Sequence, residues 1–479
     1  MTNHSTSEKG QGSFAEKYRW YFLIIAALTS FGPAFNVGSV STLQVQFQNY
    51  LHLDELEYAH IAQVSAIPGF FVPVLMGTIG DYYGPVVPVA IGLIFSFCGQ
   101  LFVTLAVTTK SFPLLFLGAA CKHASSESMG LGRNKMIRMW FKDNQIGKVT
   151  GMLLVSGSIG TMACDIFYPT VYESTQSLAI PYIIGTGVLS ISMVTGAIMI
   201  YMYKRLVQVD DLQEEQGVRH LSIREIKYFP KVFFFLVIAS VISMISFHNT
   251  KMYESKFLQT RFGFRVSQAG YILCVGLIFS GISGPLTGFL MDAYGSRTMF
   301  LIGSIGIATL GVFGNAALPS CDQCFLPIIP LICMSLGNGM KHVIVLNSIM
   351  MLIKVKNIGI AVAIFSTTSS CTSLVFSWVN GYIAHKTIKQ HGYFWVYICN
   401  TLLGCIAMML ALIAHMADSK SGRNLQRIAR PEDEVLKPLP PLATQYTPIN
   451  ESEDELIPKD KKQPLPGETI VDADSKLVL

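Results

Sequence analysis

The chain has 479 residues, 51% of them hydrophobic and only 14% charged, with a mean hydropathy of +0.46. Soluble domains are about a quarter charged, so this composition excludes a water-soluble enzyme or binding module and points to a polytopic membrane protein. The net charge of +5 makes no case for a nucleic-acid partner, because the basic residues gather at the edges of apolar runs, where orientation signals lie.

Residues 1–18 form a polar cytosolic segment, and the first apolar run after it is too long and too irregular for a cleaved signal, so it reads as a retained span. Twelve runs are long enough to cross about 30 Å of hydrocarbon. They lie near 19–41, 59–80, 85–107, 112–136, 147–169, 178–203, 232–254, 266–290, 298–318, 325–352, 358–384 and 392–416. The expected fold is an all-α polytopic membrane protein of two pseudo-symmetric six-helix bundles, 19–203 and 232–416. A cytosolic linker, 204–231, joins them, and within it Ser222-Ile223-Arg224-Glu225-Ile226 reads as a short amphipathic helix on the membrane surface. Residues 417–479, rich in proline, acids and lysine, are expected to be a disordered cytosolic tail. Twelve lysines and arginines in the loops on the side of the termini, against six on the other, place both termini in the cytosol.

One pattern occurs twice. Gly77-Thr78-Ile79-Gly80-Asp81-Tyr82-Tyr83-Gly84 and Gly288-Phe289-Leu290-Met291-Asp292-Ala293-Tyr294-Gly295 both read G-x-x-x-D-x-Y-G, 211 positions apart, each closing one apolar run and leading into the next. Glycines allow close approach of two helices, and the carboxylates of Asp81 and Asp292 can pair with a helix N-terminus or with a base such as Arg297. A duplicated loop at matching places marks a duplicated membrane unit, as transporter folds have.

Ionisable side chains deep in a bilayer are costly and mark candidate functional sites. The fourth span carries Lys122, His123 and Glu127 near its middle and Arg133, Lys135 and Arg138 further on, with His123, Glu127, Asn134 and Arg138 on one stripe. The tenth span, duplicate of the fourth, carries Lys341-His342 at its midpoint, so two Lys-His pairs are expected to face each other across the pseudo-two-fold axis. Gly32-Pro33 and Asn36 in the first span, and Pro68-Gly69 and Pro73 in the second, are breaks that free backbone groups to line a cavity. His248-Asn249-Thr250-Lys251 in the seventh span suggests an outer gate, and Asp165 a helix cap or loop residue. Cys321 and Cys324 allow a local disulfide or half a metal site, with no second C-x-x-C to complete one. No Ser-His-Asp, H-E-x-x-H or Walker-type pattern is present, so neither catalytic activity nor a cofactor is expected.

Two six-span halves, the duplicated loop after spans two and eight and a charged central linker resemble the major facilitator superfamily over residues 19 to 416. Phe31-Gly32 with Leu43-Gln44-Val45-Gln46, Glu127-Ser128 with Asn134 and Trp140-Phe141-Lys142, and Arg261-Phe262-Gly263-Phe264 are similar, in order and spacing, to the superfamily's lysosomal dipeptide transporter branch. The resemblance implies a substrate role for Glu127. The branch's arginines in spans four and five fall on Ala119 and Ser158, and its acidic patch in the first span on Gly38.

The expected activity is movement of a small carboxylate-bearing solute, a dipeptide or amino acid, by alternating access, with Glu127, Lys122, His123, Lys341, His342, Asn36 and Arg133 as substrate-site candidates. An organic-anion carrier of the same fold, or a non-transporting receptor or subunit, is the alternative. The tail holds Tyr446-Thr447-Pro448-Ile449 and the acidic stretch up to Leu456-Ile457, patterns that sorting adaptors read; they point to lysosomal or endosomal membranes, with the plasma membrane as the alternative. The N-x-S/T sequons, at Asn3 and Asn450, both fall in cytosolic segments. A lumenal face without glycans in a protease-rich organelle suggests a glycosylated single-span accessory subunit as partner, which the resemblance also implies.

Overall fold

The computed structural model describes residues 14–141, 143–209, 223–321, 323–353, 358–420 and 425–426. Among them the chain is helical and forms twelve long rods. The first is Phe14–Val37, continued by the short helices Ser39–Thr42 and Gln44–Leu51, and the second is Glu55–Ala66 with Val72–Tyr82. The rest are Val86–Thr109, Phe112–Trp140, Asp143–Thr175, Ala179–Val209, Lys231–Phe262, Val266–Tyr294, Arg297–Ala317, Ile328–Leu352, Ile358–His391 and Phe394–Lys420. Ten are long and apolar enough to cross a membrane; the fourth and fifth fall outside that set. The fourth does so because its middle is given to Lys122, His123 and Glu127, side chains that only a protein-lined interior tolerates at that depth. The linker contains a short 3-10 helix, Ile223–Tyr228, over the stretch read as amphipathic.

Pro68, Gly69 and Pro73 break the second span as expected, leaving a 3-10 turn, Ile67–Phe70, because a proline inside a helix removes a donor and crowds the preceding turn. The two halves use the same close-packing device in corresponding places. A Cβ on Gly99 would lie 2.9 Å from the amide nitrogen of Lys122, locking spans three and four together, and a Cβ on Gly311 would lie 2.5 Å from that of Met334, locking spans nine and ten.

The hydrophobic cores show how the halves meet. On the side of the termini each half has its own: Phe22, Val89, Met136 and Leu206 belong to one, and Phe233, Leu301, Ile349 and Ala411 to the other. On the opposite side one core runs through both, with Phe47, Tyr58 and Tyr182 packed together with Tyr253, Phe257 and Tyr397. Polar contacts reinforce that seal. Lys256 of span seven pairs with Glu55 at the start of span two and donates to Gln48 at 2.6 Å; Tyr393 reaches both oxygens of Glu55 at 3.3 Å; Ser255 donates to the Thr42 carbonyl at 2.7 Å. The halves are therefore closed together on the face away from the termini, and on the basic face that bears them each keeps its own core.

The duplicated loop has a turn role at its last residue. Gly84 and Gly295 both adopt positive φ, 77° and 66°, a conformation glycine adopts at no steric cost. The close approach expected at Gly77 and Gly288 is absent: a Cβ at Gly77 would meet nothing within 4 Å, and one at Gly288 would meet only Val343 at 3.9 Å. On this face the two halves share no core that would bring a neighbouring helix against them. The side chains of Asp81, Asp292 and Arg138 lie outside the described set, as do Tyr446, Ile449, Leu456 and Ile457. Arg297 is buried, and its amide donates to the carbonyl of Leu425 at 3.0 Å, so the chain just beyond the last span lies against the start of the ninth.

Candidate substrate site

The first span stops at Val37, and this break frees the carbonyl of Asn36 from its helical partner. Lys122 uses it: its ammonium donates to Asn36 O at 2.6 Å and to Gln100 Oε1 at 3.2 Å. The Asn36 side chain is equally committed, donating to the carbonyls of Gly32 at 2.8 Å and Gly185 at 3.2 Å and accepting from the Tyr168 hydroxyl at 2.5 Å. Together Asn36 and Lys122 tie spans one, three, four, five and six into one knot inside the amino-terminal half. In this conformation they hold that bundle together and offer no free group to the space between the halves.

Glu127, one turn beyond His123, behaves differently. Its Oε2 accepts from Ser366 Oγ at 3.1 Å, and Ser366 lies on span eleven of the opposite half. This is a single mid-depth hydrogen bond across the interface, easily exchanged for one to a ligand. His123 interacts electrostatically with Glu127, and its Nε2 is enclosed with no hydrogen-bond partner among the described residues. Ser370 and Gly69, from spans eleven and two, pack beside it. Arg133, about 9 Å further along the helix, is held by Ser30 of span one, and its Nε also has no partner.

In the carboxyl-terminal half Lys341 is withdrawn, 2% exposed, with its ammonium 3.1 Å from Ser243 Oγ on span seven. The expected facing of two Lys-His pairs is thus corrected: each lysine is bound within its own half because it finds polar partners on a neighbouring helix there. His342, one residue and about 100° further round the helix, is exposed at the midpoint of span ten. His248 is likewise exposed near the midpoint of span seven, edge-on to Phe247, and within electrostatic range of His342, Lys251, Lys341 and His123. Its position corrects the expected outer gate. His248 sits at mid-depth, and the polar contacts that join the halves on the sealed face are those of Glu55, Lys256, Gln48 and Tyr393.

Asp165 is no cap or loop residue. It is buried within the fifth span, accepts from Thr42 at 2.8 Å, and shares with Glu254 the electrostatic neighbourhood of Lys251. Cys321 and Cys324 are joined as a disulfide in the loop before span ten.

The sequence profile of the Major Facilitator Superfamily matches residues 20–340 and 236–446. The chain belongs to this superfamily. It is a multi-pass membrane protein. Among curated proteins it is similar to the lysosomal dipeptide transporter MFSD1 of Danio rerio, 23% identical over 297 residues, a match spanning 60% of this chain and 64% of that relative. Among solved structures it shares its fold with a point mutant of the nucleoside transporter NupG, at a TM-score of 0.65 and 14% identity over 82% of this chain and 99% of that one. It shares it also with an auto-inhibited peptide transporter of the POT family, at 0.65 and 12% identity over 84% and 97%. A third is a bacterial homologue of the human lysosomal transporter Spinster, at 0.59 and 12% identity over 86% and 99%.

Proposed function

We propose that this protein is an alternating-access carrier of a small carboxylate-bearing solute, a dipeptide or amino acid, in a lysosomal or endosomal membrane. The observation that carries the reading is that the halves share one core on the face away from the termini and keep separate cores on the basic face, with ionisable groups of both at mid-depth: Glu127 bound across the interface to Ser366 from one half, and the exposed His248 and His342 from the other. A site that joins two rigid bundles at mid-depth is where alternating access exposes a solute to either side. With the basic face in the cytosol, the conformation is open to the cytosol and sealed towards the lumen. The similarity to MFSD1 supports a peptide solute and an endolysosomal address. The sequence patterns add two further parts to the proposal: the tail residues Tyr446, Ile449, Leu456 and Ile457 contact sorting adaptors, and, because the N-x-S/T sequons fall in segments assigned to the cytosol, a glycosylated accessory subunit covers the lumenal loops.

The test is a thermal-shift screen of the purified full chain against dipeptides, amino acids and organic acids, since binding to the folded state raises apparent stability. A shift with zwitterionic dipeptides or amino acids supports the reading. A shift confined to organic anions selects the organic-anion carrier, and none from the whole panel favours a receptor or subunit that keeps the fold.

A further inference from the structure

The sequence drew attention to Lys122 and Lys341 as the cations for a carboxylate, but each is satisfied inside its own half. Among the described residues a pair of imidazoles makes no such bond. His248 and His342 come from spans seven and ten, 94 positions apart in the chain, both near their helix midpoints and both exposed at a depth where exposure to lipid would be costly for a polar ring. His248 lies within electrostatic range of His342 in its own half and of His123 in the other, so the two rings border the space between the halves. Neither makes a hydrogen bond to another group among the described residues. Lys341 and Lys251 both lie within electrostatic range of His248, Lys251 in company with Asp165 and Glu254.

We propose that His248 and His342 form the carboxylate-binding subsite of the cavity, each ring giving one N–H to one carboxylate oxygen, opposite the Glu127 carboxylate on the other half. Two neutral imidazoles already supply two donors, one each, and two carboxylate oxygens need two. The withdrawn lysines contribute potential without contact. The two ends of a zwitterion are then read by different halves, so only a solute bearing both charges bridges the interface and replaces the Glu127–Ser366 bond. This assignment rests on the reading of the cavity as a carboxylate site.

The experiment measures binding of alanyl-alanine, its C-terminal amide and its N-acetyl derivative to the full chain in detergent, for the wild type and for His248→Phe, His342→Phe and His248→Gln. Wild type should favour the free acid over the amide by on the order of tenfold, the value of one hydrogen bond to a charged group. Either Phe variant, keeping the ring shape without a donor, should weaken the acid by about that factor and leave the amide unchanged, erasing the preference. His248→Gln, which keeps an N–H, should retain part of it. Glu127→Gln should instead lose the discrimination against the N-acetyl form. Because the rings are exposed, the melting temperature of the unliganded variants should stay at the wild-type value. An acid-to-amide ratio unchanged in both Phe variants overturns the assignment while leaving a carboxylate carrier standing. Failure of the wild type to bind any of the three peptides, amino acids or organic acids overturns the reading of the cavity and this assignment with it.

Discussion

Replacing Lys256 by Met keeps much of the side chain's length and apolar stem and removes its charge. Glu55 then stays buried with Tyr393 and Gln44 as hydrogen-bond partners but no counter-charge. Breaking a buried pair by removing one partner costs about 3–5 kcal/mol; since Lys256 keeps 17% exposure, the lower end, about 3 kcal/mol, applies here. The penalty falls on the conformation sealed on that face, because Lys256 and Glu55 come from different halves and separate when the seal opens. A shift of about 3 kcal/mol moves the equilibrium between the two conformations roughly a hundredfold towards the one open on the far side. The assay is labelling of a single cysteine placed at Thr42, buried in the seal, by a membrane-impermeant maleimide applied from that face. Labelling should rise steeply in Lys256→Met and return towards the wild-type rate in the double variant Lys256→Met with Glu55→Gln, where no unpaired charge remains. Equal labelling of all three proteins would refute the argument.

Lys122→Ala should lower the melting temperature, by a loss of about 1–3 kcal/mol for the bonds to Asn36 and Gln100, whether or not solute is present; calorimetry of the unliganded protein checks it, and an unchanged melting temperature with weaker binding would make Lys122 a ligand. Leu425, 0% exposed and packed into the carboxyl-terminal core, should cost about 2–5 kcal/mol when changed to Ala, read as lower thermal stability, while Leu402, exposed on a lipid-facing rod, should tolerate Ala with little loss. Deleting residues 440–460 should redirect tagged protein from endolysosomes to the cell surface; imaging that finds it unmoved removes the tail's role.

Much of the architecture was legible in the sequence. A run of about 20 apolar residues has one physical solution in a bilayer, so the positions of the rods followed, and they differ from expectation chiefly where helices continue past the membrane, as at Phe262 and Thr175. The duplicated loop revealed the two halves because both copies need a left-handed glycine at the same turn, Gly84 and Gly295. The site was legible only in part. Depth in the membrane follows from counting residues, so Glu127, His123 and His342 could be singled out. Which way a side chain leans depends on its neighbours: Lys122 turns inward because the first helix breaks at Asn36, and Lys341 because Ser243 faces it, neither of which a single span reveals. The polar seal around Glu55 was missed altogether. Glu55 follows the capping residue Asp54 and reads as an ordinary first-turn acid; only the packing of span two against span seven buries it beside Lys256.

The central claim is tested most directly by counterflow. Proteoliposomes holding the purified full chain and loaded with unlabelled alanyl-alanine should take up labelled alanyl-alanine several times faster than empty ones, because a carrier that alternates between two faces exchanges faster than it moves solute one way. Glu127→Gln, which leaves the bundle's internal knot intact, should remove that acceleration. Folded wild-type protein giving the same uptake with and without internal dipeptide, amino acid or organic acid would contradict the account.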